Sequence, residues 1–177
     1  VLQWEDANYS LGQTATGTVN DVDIFLTEEN GNVLFGFNRD NRGGDPFEVL
    51  PFTVTENTQT NIIIVRRNGT ANFKFKYVFF RGNNIVSEYN TGNSTIVGQA
   101  NAAGAMSVGA VLYSNTPAYG VSIPTVASFS SRGGTTVINN VTRKKPDFTA
   151  PNGGNTTVNL GGPNIDGDGF PNFFGTS

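Results

Sequence analysis

The chain has 177 residues, 37% of them hydrophobic and 14% charged, with a formal net charge of −3, no cysteine and no histidine. This length suits one domain or two small ones, and no run approaches the ~20 apolar residues of a membrane-spanning helix, so no membrane partner is expected. Without cysteine and histidine there are no disulfides, no thiolate or imidazole metal ligands, and no complete Ser-His-Asp or Cys-His set within these residues. The acidic balance also argues against nucleic acid. The one basic run, Arg143-Lys144-Lys145, is too short for phosphate tracking and reads as a solvated loop.

In chain order, Leu2-Gln3-Trp4-Glu5 already alternates like a strand. Val22, Ile24 and Leu26 then alternate with Asp21, Asp23 and Phe25, which predicts a strand with Asp21 and Asp23 on its outer, solvated face. Such carboxylates are of the kind calcium takes, but the alternation favours plain surface positions. Glu29-Asn30-Gly31-Asn32 is a turn signal, and Val33-Leu34-Phe35-Gly36-Phe37 is the natural return strand of a hairpin. A polar loop, Arg39-Asp40-Asn41-Arg42-Gly43-Gly44-Asp45-Pro46, leads to an expected strand over 47–54, and Ile62-Ile63-Ile64-Val65 forms a β-branched run. Phe73, Phe75, Tyr77 and Phe79 alternate with Lys74 and Lys76, so one aromatic face is expected to fill a core rather than serve as a carbohydrate platform. Gly82-Asn83-Asn84 should turn the chain into a strand over 85–89. Strands arriving every ~8–12 residues with turn chemistry between them predict an antiparallel β-sandwich or jelly roll over 1–92.

Composition changes near Asn90-Thr91-Gly92-Asn93-Ser94, where aromatics give way to small residues, so a second segment is expected over 93–177. One or two helical turns are expected at 100–105, a strand covered on both faces over 106–112, and mostly irregular backbone beyond about 132. The five Asn-x-Ser/Thr sequons, at Asn8, Asn68, Asn93, Asn140 and Asn155, are close to what an Asn-, Ser- and Thr-rich chain produces by chance, so they carry no evidence of glycosylation.

Four blocks follow one another in the second half: Ser107-Val108-Gly109-Ala110-Val111, Ala127-Ser128-Phe129-Ser130-Ser131-Arg132-Gly133, Lys145-Pro146-Asp147-Phe148-Thr149-Ala150-Pro151-Asn152-Gly153 and Phe174-Gly175-Thr176-Ser177. Each alone is weak, but together and in this order the series resembles the C-terminal half of the catalytic domain of subtilisin-like serine proteases, the subtilases. The resemblance implies a mainly β chain in which an N-terminal sandwich precedes a partial subtilase α/β core segment with few helices. It implies that Ser177 is the nucleophile of peptide-bond hydrolysis and that Gly175 and Thr176 shape the turn presenting it. The family's aspartate, histidine and oxyanion asparagine have no matching motif here, so the chain alone is expected to be inactive. Its start at Val1 and its end at Ser177 read as cuts in a longer protein.

The first 92 residues are then similar to the sandwich inserts of some bacterial secreted subtilases, on Leu2-Gln3-Trp4, Asp21-Val22-Asp23 and Asp45-Pro46-Phe47-Glu48. An insert needs its ends close together, so residues 2–4 and 89–94 are expected as neighbours. The implied protein is secreted or cell-surface and bacterial in type. Its partners are a peptide or protein substrate and either the rest of the core or a second copy. No cofactor is required. Asn164, Asp166 and Asp168 form the first half of an EF-hand-like calcium loop, although Gly175 stands where its twelfth-position acid belongs, and Asp-Gly repeats more often make plain turns. The rival reading is a non-catalytic β-sandwich binding or adhesion module of a secreted protein.

Overall fold

The computed structural model describes residues 1–69, 72–80, 86–137 and 139–175. It is mainly β, and it divides into one unit of Val1–Val86 with Thr136–Val141 and a second of Ser87–Thr135 with Thr142–Ser177.

In the first unit the alternating runs become β1 (Leu2–Trp4), β2 (Asp21–Thr27), β3 (Val33–Phe37), β4 (Phe47–Glu48), β5 (Asn61–Asn68) and β6 (Phe75–Tyr77). They form two three-stranded antiparallel sheets, ordered β4-β1-β6 and β3-β2-β5. Each sheet has an apolar face to cover, and the two share one core. Leu2 and Trp4 come from the first sheet and Val22 and Ile24 from the second, with Leu50, Ile62, Ile64, Phe73 and Tyr77 packed against them. The β2–β3 turn works as its sequence demands: Gly31 takes a φ of +91°, and its N–H donates to the Glu28 carbonyl at 3.0 Å. Buried Trp4 donates its indole N–H to Thr18 Oγ1 at 3.3 Å, and the Asp6 carboxylate accepts from Thr18, Val19 and Asn20, stapling two loops together.

Several details differ from the expectations. Asp21 and Asp23 are not on a solvated face: they are 6% and 1% exposed, because β2 is covered on both sides. The cover comes from the segment leading into β4, where the Asn41 N–H donates to Asp21 Oδ1 at 3.2 Å and Glu48 Oε2 accepts the Ile24 N–H at 3.1 Å. The aromatic run does not fill the core evenly either. Phe73 and Tyr77 pack on it, whereas Phe75 is 50% exposed, β1 being the only strand paired with β6 among the described residues. The strand expected over 47–54 is reduced to Phe47–Glu48. Both edges of β1 are taken, by β4 and by β6. The turn expected at 82–84, and Ile85, lie outside the described residues.

The second unit contains β7 (Val108–Leu112), β8 (Gly134–Thr135), β9 (Thr142–Arg143), β10 (Phe148–Asn152), β11 (Gly154–Asn155) and β12 (Asn172–Phe173). β7 and β10 run parallel, with Ala110 opposite Ala150, while β8–β9 and β11–β12 are two-residue antiparallel pairs. The small residues of β7 are buried, as a strand covered on both faces should be. The expected helical turns at 100–105 appear as a 3-10 turn at Gly98–Asn101, and two more follow at Tyr113–Asn115 and Pro117–Tyr119. Among the described residues no helix is long and apolar enough to cross a membrane.

Candidate functional site

The second unit brings the first three sequence blocks together, with Phe174 of the fourth against the third. Parallel pairing sets the Ser107 block beside the Lys145 block. Asp147 clamps their start: its Oδ2 accepts from the Ser107 N–H at 2.7 Å, the Ser107 hydroxyl at 3.1 Å and the Lys145 ammonium at 2.7 Å. Hydrogen bonds from Lys145 first, and then from the Ser107 N–H, hold the Asp147 carboxyl down at about 2. Lys145 therefore departs from the solvated-loop expectation. Its side chain is 5% exposed, and its ammonium also donates to the Ala105 carbonyl. A buried ammonium is tolerable where acceptors of this kind replace water.

The second block lies on the other edge of β7. Ser130 Oγ accepts the buried Ala110 N–H at 3.1 Å, and the Ala127 N–H donates to the Ala110 carbonyl at 2.8 Å. Gly109 is required at the crossing of the blocks: a Cβ there would stand 2.9 Å from Pro146 and 3.0 Å from Ser130 Oγ. The fourth block is reached through β11 and β12. Gly153 donates its N–H to the Phe173 carbonyl at 2.8 Å, and Asn172, 3% exposed, donates its amide to the Gly153 carbonyl at 2.9 Å. Gly153 has a φ of +80°, and a Cβ on it would lie 2.9 Å from the Phe174 ring and 3.0 Å from Leu112. Phe174 thus lies close to the C-terminal ends of the two parallel strands. Gly175 follows it; Thr176 and Ser177 lie outside the described residues.

Asn152 is a residue that motif reading passed over. It is 8% exposed at the end of β10, and among the described residues neither atom of its amide has a hydrogen-bond partner.

The Asn164, Asp166 and Asp168 oxygens are engaged by the protein's own donors. Asn164 Oδ1 accepts the Gly167 N–H at 2.8 Å, and Asp168 Oδ1 accepts the Phe170 N–H at 2.9 Å, as in Asx turns. Asp168 Oδ2 takes the Asn155 amide, and Asp166 Oδ2 takes the Tyr113 hydroxyl at 2.9 Å. The Tyr113 bond holds the Asp166 carboxyl below the usual carboxylate range. Among the described residues no three acidic side chains stand grouped as a ready-made metal site.

No family model, no curated protein and no solved structure matches the chain.

Proposed function

We propose that this chain is the part of a secreted or cell-surface, bacterial-type subtilisin-like serine endopeptidase that carries the nucleophile Ser177, together with an inserted β-sandwich. In this reading the Ser177 hydroxyl attacks the scissile carbonyl, an acyl-enzyme forms as the amine leaves, and water releases the acid product. The base, its orienting acid and the oxyanion donor come from residues outside these 177, since the chain holds no histidine. The hydrolysis requires no cofactor, and the substrate is a peptide or protein.

The observation that carries the reading is the convergence of the four blocks. Residues 107–111, 127–133 and 145–153, and Phe174 of the last block, come from separate stretches of the chain, yet hydrogen bonds, a parallel strand pair and the approach of Phe174 to Gly153 bring them together. A parallel pair needs a long crossover connection, which a fold of hairpins alone would not supply. The test is casein hydrolysis by a longer protein that includes this segment and its upstream residues: activity lost in Ser177→Ala supports the proposal, and activity retained there refutes it.

One observation favours the second reading, a non-catalytic binding or adhesion module. Edge strand β3 exposes Val33, Leu34, Phe35 and Phe37 by 61%, 43%, 51% and 37%, more apolar surface than a solvated edge usually shows. Ligand capture by the first unit together with an inert longer protein would be its signature.

A further inference from the structure

The sheet ordered β3-β2-β5 ends in two different ways. β5 carries Arg66 and Arg67, the kind of charge that keeps a sheet edge from pairing with another chain. β3, Val33-Leu34-Phe35-Gly36-Phe37, has no charged residue and no proline, and all five of its positions are exposed. Among the described residues no strand pairs with its outer edge, so its outward backbone N–H and C=O groups are open to another strand.

That edge is apolar on both faces. Phe35 and Phe37 stand opposite buried Leu26 and Ile24 and so share the core-facing side of the sheet, yet they remain 51% and 37% exposed. On the other side the Phe25 ring lies over Gly36, where an added Cβ would stand 2.4 Å from it. The register shift between β2 and β3 falls at Leu26/Thr27, which leaves Phe35–Phe37 in a regular ladder.

Charge selects the occupant. Glu28 and Glu29 precede β3 and Arg39 follows it, all three exposed. Neither Glu29 nor Arg39 enters an ion pair among the described residues, and Arg42 is neutralised by Asp40 at 2.6 Å. The strand is thus neutral, with an acidic end and a basic end. Two copies laid antiparallel set the acidic end of each beside Arg39 of the other, twice by symmetry, whereas a parallel arrangement opposes like charges. We propose that two copies of this chain dimerise by antiparallel pairing of their β3 strands into one sheet ordered β5-β2-β3-β3-β2-β5, with the Phe35 and Phe37 side chains of the two copies as cross-strand neighbours. The pair closes on itself and uses up both open edges. Ser177 plays no part in it, so the dimer stands or falls without the protease reading.

The experiment is sedimentation velocity on the full 177-residue chain at pH 7.5, from about 1 to 500 μM, the range in which a small interface should show. A monomer–dimer equilibrium with a micromolar dissociation constant is expected, weakened by added sodium chloride. Phe35→Lys should abolish the dimer and leave the far-ultraviolet circular dichroism unchanged. Glu29→Lys and Arg39→Glu, which lie outside the strand, should each weaken it by roughly three- to tenfold, and the double variant should return to within about twofold of the unmutated affinity. An unmutated chain that stays monomeric overturns the proposal and leaves β3 to an extended peptide or to another part of a longer protein. A dimer that survives Phe35→Lys, or a double charge variant weaker than either single one, overturns it as well.

Discussion

Replacing Glu48 by glutamine changes one proton-binding group and little else, so it isolates what burial does to this carboxyl. Burial is the main cause that lifts Glu48 from its ordinary 4.5 to about 8, and the neighbouring Asp23 and Asp21 charges add to it; the Ile24 N–H on Oε2 opposes it. The folded chain then holds a proton that the unfolded chain releases between about pH 4.5 and 8. Stability from this group is full below the unfolded pKa and is lost as the pH rises through 8. At about 1.4 kcal/mol per unit the loss amounts to roughly 3–5 kcal/mol. Glutamine keeps an oxygen for the Ile24 N–H and never ionises. Urea unfolding should therefore give unmutated chain and Glu48→Gln within about 1 kcal/mol of each other at pH 5, with the variant ahead by roughly 3–5 kcal/mol at pH 8.5. The N-terminal amine of Val1, whose pKa desolvation lowers, is common to both proteins and cancels between them. Parallel stability curves from pH 5 to 8.5 would refute the reasoning.

Leu2→Ala, which truncates a side chain with no exposed surface, should cost about 2–5 kcal/mol in urea unfolding. Ser130→Ala strands the buried Ala110 N–H and should lower stability by about 1–3 kcal/mol, with hydrogen exchange fastest at Ala110. Gly153→Ala puts a Cβ at a φ of +80° against Phe174 and Leu112, so it should destabilise the second unit, read by the near-ultraviolet circular dichroism of its aromatics. Acid titration should lower stability again below about pH 4, as Asp147 loses the hydrogen bonds from Lys145 and Ser107 that hold it near 2.

The hairpin from Asp21 to Phe37 is readable from sequence because both of its signals are local: alternation along the strands and an Asn-Gly turn between them. The four blocks are readable as motifs, and their order already suggests that they belong together. What sequence hides is decided by segments far away in the chain. Asp21 and Asp23 alternate as surface residues do, yet a loop some twenty residues on covers them. Lys145 sits in a basic run and is nevertheless buried, because Asp147 and the Ala105 carbonyl await its ammonium. Phe75 has the periodicity of a core residue, yet it is 50% exposed, since among the described residues β6 ends its sheet. Periodicity reports which side a residue faces, and only the topology reports whether anything covers that side.

The protease reading is tested most directly by fluorophosphonate labelling with mass-spectrometric mapping of the adduct. In a longer protein that supplies the upstream histidine and aspartate, the account predicts a single adduct on Ser177, lost in Ser177→Ala, and no adduct on the isolated 177-residue chain at rates typical of serine proteases. An adduct on another serine of the longer protein, or rapid labelling of the isolated chain, would contradict it.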